Sequence, residues 1–209
     1  MASKDGFGRT LTVAFLLCIV CSVVVSSAAV SLRPQQQINK DLDRKRNILL
    51  AAGLYQEGVS VDEQFEKIET RVVDIETGKF VDVDPDGYDQ RKAARDPKQS
   101  IALGDKDIAK ISRRENLALV YLVQSGDAVD KVILPVHGYG LWSTLYGFVA
   151  LEQDLNTVAG MGFYDHAETP GLGGEVDNPR WKAQWPGKKV YGSDGAVKLA
   201  LLKGAVDTS

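Results

Sequence analysis

An α+β domain tethered by a single N-terminal transmembrane helix is the fold class this sequence predicts, and three observations predict it. No charged residue occurs from Thr10 to Leu32. Four apolar runs of strand length follow one another between Leu117 and Tyr164, with connections too short to cross over a parallel pair. Helical patterning is confined to the segments on either side of those runs. With 209 residues, 44% of them apolar and 25% charged, the chain accommodates one globular domain plus something extra.

The charge-free run, residues 11–32, is long enough to span a bilayer, which takes about 20 residues as a helix. It exceeds the apolar region of a secretory signal, about 7–15 residues, so a retained anchor is favoured over a signal cleaved near Ser27-Ala28-Ala29. Gln35 to Ala52 reads as a helix that continues or closely follows the anchor, with Ile38, Leu42, Leu49 and Ala52 on one face and Gly53 as its stop. Val61 to Glu69 carries a short amphipathic pattern. Arg71 to Ile75 and Lys79 to Val83 read as strands around Glu76-Thr77-Gly78, and Asp84-Pro85-Asp86-Gly87 is a turn by its chemistry. The highly charged region from Tyr88 to Glu115 reads as exposed helices and loops.

The sheet follows as Leu117–Val123, Val132–Val136, Leu145–Leu151 and Val158–Tyr164, an antiparallel meander with Pro135 expected at a strand end or an edge. Asn178 before Pro179 pairs a capping residue with a proline at the first helical position, starting a short helix through Trp185. Val190-Tyr191 and Val197 to Leu202 are candidate further strands.

Composition excludes several functions. A net charge of −3 without a basic cluster outside the segment after the membrane helix leaves no footprint for nucleic acid. Both cysteines, Cys18 and Cys21, fall in the apolar run, where they are small apolar residues rather than a redox pair. No His/Asp/Glu spacing suggests a metal site, and no nucleophile elbow or triad is visible.

The stretch from Asp165 to Glu175 carries the most chemistry. A polar run containing His166, Glu168 and Thr169 enters a turn with Gly171, Gly173 and Gly174. Glycine takes positive φ and admits a ligand against the main chain. The spacing is neither a dinucleotide fingerprint nor a phosphate-binding loop with its Lys-Ser/Thr. On residues alone a tight structural turn is the favoured reading.

Taken together, the N-terminal anchor, Gly138-Tyr139-Gly140-Leu141-Trp142 between two strands, and His166-Ala167-Glu168-Thr169-Pro170-Gly171-Leu172-Gly173 after a third resemble the FMN-binding domain of bacterial membrane redox complexes. Phrases such as Tyr88-Asp-Gln-Arg, Ser100-Ile-Ala-Leu and Lys131-Val-Ile-Leu-Pro extend the likeness over nearly the whole chain, in detail toward the C-subunit family of the Na+-translocating NADH:quinone reductases. The matching subunit of Rnf-type electron-transport complexes shares the glycine-rich motifs.

The resemblance implies FMN as cofactor and an electron-carrying role inside a reductase complex, with membrane lipid and other membrane and flavin subunits as partners. It implies that Trp142 stands near the ring, that Glu168 and Thr169 hydrogen-bond the ring or the ribityl hydroxyls, and that Leu172 covers the isoalloxazine beside Gly171 and Gly173. For Trp142 an ordinary core position is the alternative. His137 and His166 are expected in supporting hydrogen bonds, since a one-electron relay requires no acid or base from the protein. In this family FMN is attached through its phosphate to a threonine in a Ser-Gly-Ala-Thr type motif. None occurs here, and Thr208 lacks that context, so residues 33–209 are expected to be a domain incomplete at its C-terminus. A cofactor-free structural subunit is the reading from another class. Orientation divides the signals: Arg33, Lys40, Arg44, Lys45 and Arg46 after the helix outnumber Lys4 and Arg9 before it, which by charge places the domain inside. The family implies instead a cytoplasmic tail at residues 1–10 and a periplasmic domain at the inner membrane.

Overall fold

The computed structural model describes residues 6–126 and 128–200. The chain divides into two compact units, Met1–Leu42 and Asp43–Ser209. Helix α1 (Phe7–Ala52) begins in the first and ends in the second, and it holds an apolar window long enough to cross a membrane, none of it buried against protein. The anchor and the following amphipathic segment are one continuous helix. Pro34 lies inside it, although proline removes a helical hydrogen bond. The helix stops where expected, at Gly53 with φ +71°. There Gly53 N–H donates to the Leu50 carbonyl at 3.1 Å and Leu54 N–H to that of Leu49 at 2.9 Å, which satisfies carbonyls that have no partner in the last turn.

The second unit is built on a six-stranded antiparallel sheet of order β2-β1-β5-β6-β7-β8. Its strands are β1 (Ile68–Asp74), β2 (Phe80–Val81), β5 (Leu117–Ser125), β6 (Ala128–Tyr139), β7 (Thr144–Glu152) and β8 (Val158–Asp165). The last four are the expected meander. β1 and β2 flank a turn in which one Asp74 carboxylate oxygen accepts from the amides of Glu76 and Thr77 and from the Thr77 hydroxyl.

Side chains alternate between faces along each strand. One face presents Leu119, Tyr121, Ile133 and Phe148 to Ile48, Leu49, Ala51 and Ala52 at the end of α1. The rings of Tyr121 and Phe148 meet edge to face at 5.8 Å, and Phe148 stacks on Tyr164 at 5.0 Å. The other face buries Val149, Leu151 and Val158 under Trp185, with Trp181 beside them.

Several expectations need correction. The charged region from Tyr88 to Glu115 is more ordered and more buried than its composition suggests. It forms α3 (Gln90–Arg95) and a two-stranded sheet of β3 (Ser100–Ala102) and β4 (Arg113–Glu115), with Ser100, Ala93 and Glu115 buried. Its polar groups are paired locally, as when the Arg113 Nε–H donates to the Ser100 hydroxyl at 2.8 Å. Pro135 is in the interior of β6, opposite Phe148 of β7. It is tolerated because the β5–β6 ladder has already ended at Tyr121 opposite Ile133, so no bond to β5 is lost there. The last helix, α4 (Pro179–Lys182), has Asn178 as its cap, accepting from the Arg180 amide at 2.9 Å, but it ends before Trp185. Val190 to Leu202 contributes no full strand among the described residues, only the bridges Thr157 to Lys189 and Tyr191 to Val197. Leu201 and Leu202 lie outside the described residues.

Helix and sheet approach closely at Gly160, where an added Cβ would collide with the Ala51 carbonyl oxygen, a backbone atom that no rotamer change moves. Gly160→Ala should therefore cost about 1–3 kcal/mol, as overpacking does. Phe148→Ala, which empties a fully buried site, should cost about 3–5 kcal/mol. Chemical denaturation of the full chain in detergent measures both.

Candidate functional site

The tip of the β6–β7 hairpin and the loop after β8 meet at one carboxylate. In an ordinary hairpin the tip amides turn to solvent. Here the amides of Trp142 and Ser143 donate to Glu168 Oε1 at 3.1 and 3.0 Å, and the Leu141 amide donates to Oε2 at 3.4 Å. The Ser143 hydroxyl donates to Oε1 at 3.2 Å and accepts from the Ala167 amide at 2.8 Å, fastening the same two segments a second time. Glu168 is 8% exposed. Burial alone would raise its pKa, but the amide and hydroxyl bonds from Trp142, Ser143 and Leu141 outweigh burial and hold it below the ordinary carboxylate value.

Glycine is required on both sides of this carboxylate. A Cβ at Gly140 would stand 2.6 Å from Glu168 Oε1, and one at Gly173 would stand 2.7 Å from Oε2. Gly171 serves differently: its φ of +76° turns the loop, with open space around it. The Thr169 carbonyl closes the turn by accepting from the amides of Leu172 and Gly174 at 3.1 and 3.0 Å. The amides of Thr169, Gly171 and Gly173 donate to no acceptor among the described residues. Leu141 and Trp142 of the hairpin tip and Leu172 of the loop have little cover, at 74%, 67% and 71% exposed.

Around this hub, the imidazole of His166 accepts from the Glu168 amide through Nδ1 at 3.3 Å, which assigns its proton to Nε2, 3.0 Å from Asp177 Oδ2. Arg91 of α3 lies over the Tyr146 ring at 3.5 Å and donates to the Tyr164 hydroxyl and to Asp165, at the start of the loop. His137 stacks on the same Tyr146 ring at 5.6 Å.

Trp142, Glu168, Thr169, Gly171, Leu172 and Gly173 are thus brought together. The exposure of Trp142 removes its core alternative. The Glu168 oxygens hold main-chain amides of the hairpin tip, so that this side chain also shapes the loop. Sequence reasoning passed over Ser143 and Arg91. Ser143 carried a signal, a hydroxyl at the tip of the glycine-rich hairpin. Arg91, far from the motif in sequence, stood only within the phrase Tyr88-Asp-Gln-Arg, which says nothing of its partners.

A mostly apolar, flat group with acceptors along one edge is what this surface can hold. Exposed Leu141, Trp142 and Leu172 offer apolar cover, the unpaired loop amides offer donors, and the carboxylates close by are already engaged. The residues present fit FMN. The class defined is that of a membrane-anchored FMN-binding-domain protein, and residues 140–207 match the FMN-binding domain family. The C subunit of the Na(+)-translocating NADH-quinone reductase from Pseudomonas aeruginosa is 54% identical over 99% of this chain and 82% of its own length. Its counterpart from Vibrio vulnificus is 52% identical over 98% of this chain and 81% of its own length. The crystal structure of Shewanella oneidensis NqrC superposes with a TM-score of 0.73 at 37% identity, covering 81% of this chain and 80% of that one. This chain belongs to the C-subunit family of the Na+-translocating NADH:quinone reductases.

Because the lowered pKa of Glu168 favours its ionised form in the fold, its contribution is fully present above the ordinary value of 4.5 and is lost as pH falls through the lower folded value. The protection factors of the Leu141, Trp142 and Ser143 amides, taken against their intrinsic exchange rates, should fall on acidification over that window, before those of the sheet amides do. In Glu168→Gln, where an NH2 group faces the amide donors, exchange at the same amides should already be fast at neutral pH.

Proposed function

We propose that this chain is the FMN-carrying, electron-transferring subunit of a Na+-pumping NADH:quinone reductase. The observation that carries the reading is the glycine-rich loop with three amides that find no acceptor among the described residues, tied through Glu168 to a hairpin tip that exposes Leu141 and Trp142. When bound, FMN supplies the redox chemistry that no side chain here provides. The chain's own part is to bind and orient. Trp142 and Leu172 cover the ring system, the amides of Thr169, Gly171 and Gly173 donate to its acceptors, and Glu168 with Ser143 keeps the two segments in register. Without a dinucleotide fingerprint in the sequence, oxidation of NADH falls to a partner subunit. Attachment of the FMN phosphate to a threonine of a Ser-Gly-Ala-Thr motif is part of the same reading and rests on the family resemblance.

The arrangement in the bilayer is proposed with it: residues 1–10 cytoplasmic, 11–32 spanning the inner membrane among lipid and partner subunits, and 33–209 periplasmic. The basic residues after the helix oppose this, but large domains translocate regardless of nearby charge.

Three measurements test these points. In the native gene context, the band of this subunit on a denaturing gel should carry flavin fluorescence; a dark band with flavin elsewhere in the complex would overturn the assignment. Trp142→Ala and Leu172→Ala should each weaken noncovalent retention of added FMN by about tenfold, given the apolar area they cover. For topology, a cysteine at exposed Asp105, in a background with Cys18 and Cys21 replaced by serine, should react with a membrane-impermeant maleimide in intact spheroplasts. Labelling only after lysis would place the domain in the cytoplasm.

A further inference from the structure

Residues 103–112, which join β3 to β4, hold Ile108 at 95% exposure, more open to solvent than any large apolar side chain of the membrane-crossing helix. The segment is tightly fixed. Gly104–Lys106 forms a 3₁₀ turn. The Asp107 carboxylate accepts from the Ile111 amide at 2.9 Å and from the Ser112 amide at 2.6 Å, and the Leu103 amide donates to the Ser112 carbonyl at 3.1 Å across the base. Lys110 at φ +54° and Ser112 at φ +65° are held in the left-handed region, which is unfavourable for residues carrying a Cβ. Such strain persists only where the surroundings impose it, and it gathers at sites of function. Folding gains nothing from leaving an isoleucine in water, since burial is what makes that side chain stabilising.

This loop is fastened to the hairpin that carries the candidate flavin site. Past Ile133 the outer edge of β6 no longer has β5 beside it, and there the Ala109 carbonyl accepts from the Tyr139 amide at 2.8 Å. Ile108 is thus one residue from a bond to the base of the hairpin. Tyr139, Leu141 and Trp142 of that hairpin are each more than half exposed.

The surroundings of Ile108 decide what can cover it. A bilayer surface is bound through a broad apolar face and an excess of basic residues. Here a single isoleucine stands between Lys106 and Lys110 with Asp105 and Asp107 beside it, so the segment carries as many acids as bases. A pocket on a protein surface suits it better, because an anchor side chain filling a pocket inside a polar rim carries much of the binding at protein interfaces. As a member of a family of reductase subunits, the chain has neighbours that can supply that pocket.

We propose that Ile108 anchors this domain on a neighbouring subunit of the reductase, its side chain filling an apolar pocket with charged groups of both signs at the rim, beside the hairpin tip. That the neighbour exchanges electrons with FMN rests on the function proposed above; that it docks at this loop does not.

The reductase complex is purified from the native gene context with the photo-crosslinker p-benzoylphenylalanine in place of Ile108, irradiated, and its products are identified by mass spectrometry. Another subunit should be joined to position 108 at about ten times the yield obtained with the same photo-residue in place of exposed Gln153, at the opposite end of the sheet. Ile108→Asp should lower NADH-driven quinone reduction by about tenfold, the effect of losing an interface anchor, with flavin fluorescence of the subunit band unchanged. Ile108→Leu, which keeps the apolar bulk, should retain most of the activity. The side chain is almost wholly exposed, so neither change disturbs the packing of the domain. The proposal is overturned if position 108 joins only phospholipid or a second copy of this chain, if Gln153 reacts equally well with the same subunit, or if Ile108→Asp leaves quinone reduction unchanged. A crosslink from a band without flavin fluorescence would uphold the docking and remove the flavin assignment, whereas a fluorescent band without the crosslink would do the reverse.

Discussion

A carboxylate with 8% of its residue exposed must find donors, and those within reach of Glu168 are amides of a hairpin tip. That need organises the candidate site. The turn bends the N–H groups of Leu141, Trp142 and Ser143 inward to the carboxylate, and Leu141 and Trp142 stand exposed on an otherwise well-packed sheet. The same carboxylate fixes the loop after β8, because it belongs to that loop. Gly140 and Gly173 follow as consequences: both approach the carboxylate more closely than a Cβ permits. Ser143, donating to Glu168 and accepting from Ala167, makes the connection bidirectional.

The brace works because the sheet delivers its two halves to one place. β6 and β7 are long and β8 runs antiparallel beside β7, so the hairpin tip and the end of β8 come out at the same end of the sheet. The register between β7 and β8 shifts between Tyr146 and Gly147, next to that end, and a bulge of this kind re-aims the residues beyond it. Arg91 reinforces the arrangement from outside the meander. It lies over Tyr146 and binds Tyr164 and Asp165, so α3 holds the end of β8 as the loop departs. The sheet in turn rests on the end of α1 through Phe148 and its aromatic neighbours.

The site divides into groups that hold the loops and groups left for a ligand. Glu168, Ser143 and His166 have their polar atoms engaged within the protein. Those left are main-chain N–H groups and apolar side chains, which suits a large, mostly apolar ring with acceptors on its edge. An exposed apolar cluster of this kind would be a liability on a surface without a ligand or partner. On the function proposed above, the flavin is that ligand.

The sequence by itself determined the elements whose signal is local. The anchor was legible because twenty-odd uncharged residues have one stable state in a bilayer, and the meander because four apolar runs with short connections can pair only antiparallel. The Gly53 stop and the Asn178-Pro179 start were legible from capping chemistry. Motif resemblance pointed to the loop from Asp165 to Glu175 and to Trp142. Tertiary structure decided what depends on distant partners. It put Pro135 inside a strand, because β5 had already left its side, and it buried Glu115 in a region whose charge pattern suggests solvent. It assigned Glu168 to main-chain amides 25 and 26 residues away, and it brought Arg91 to a loop 74 residues away. Charge and hydrogen-bonding capacity are written in the residue type. Which partner takes them up is settled only when the chain closes on itself.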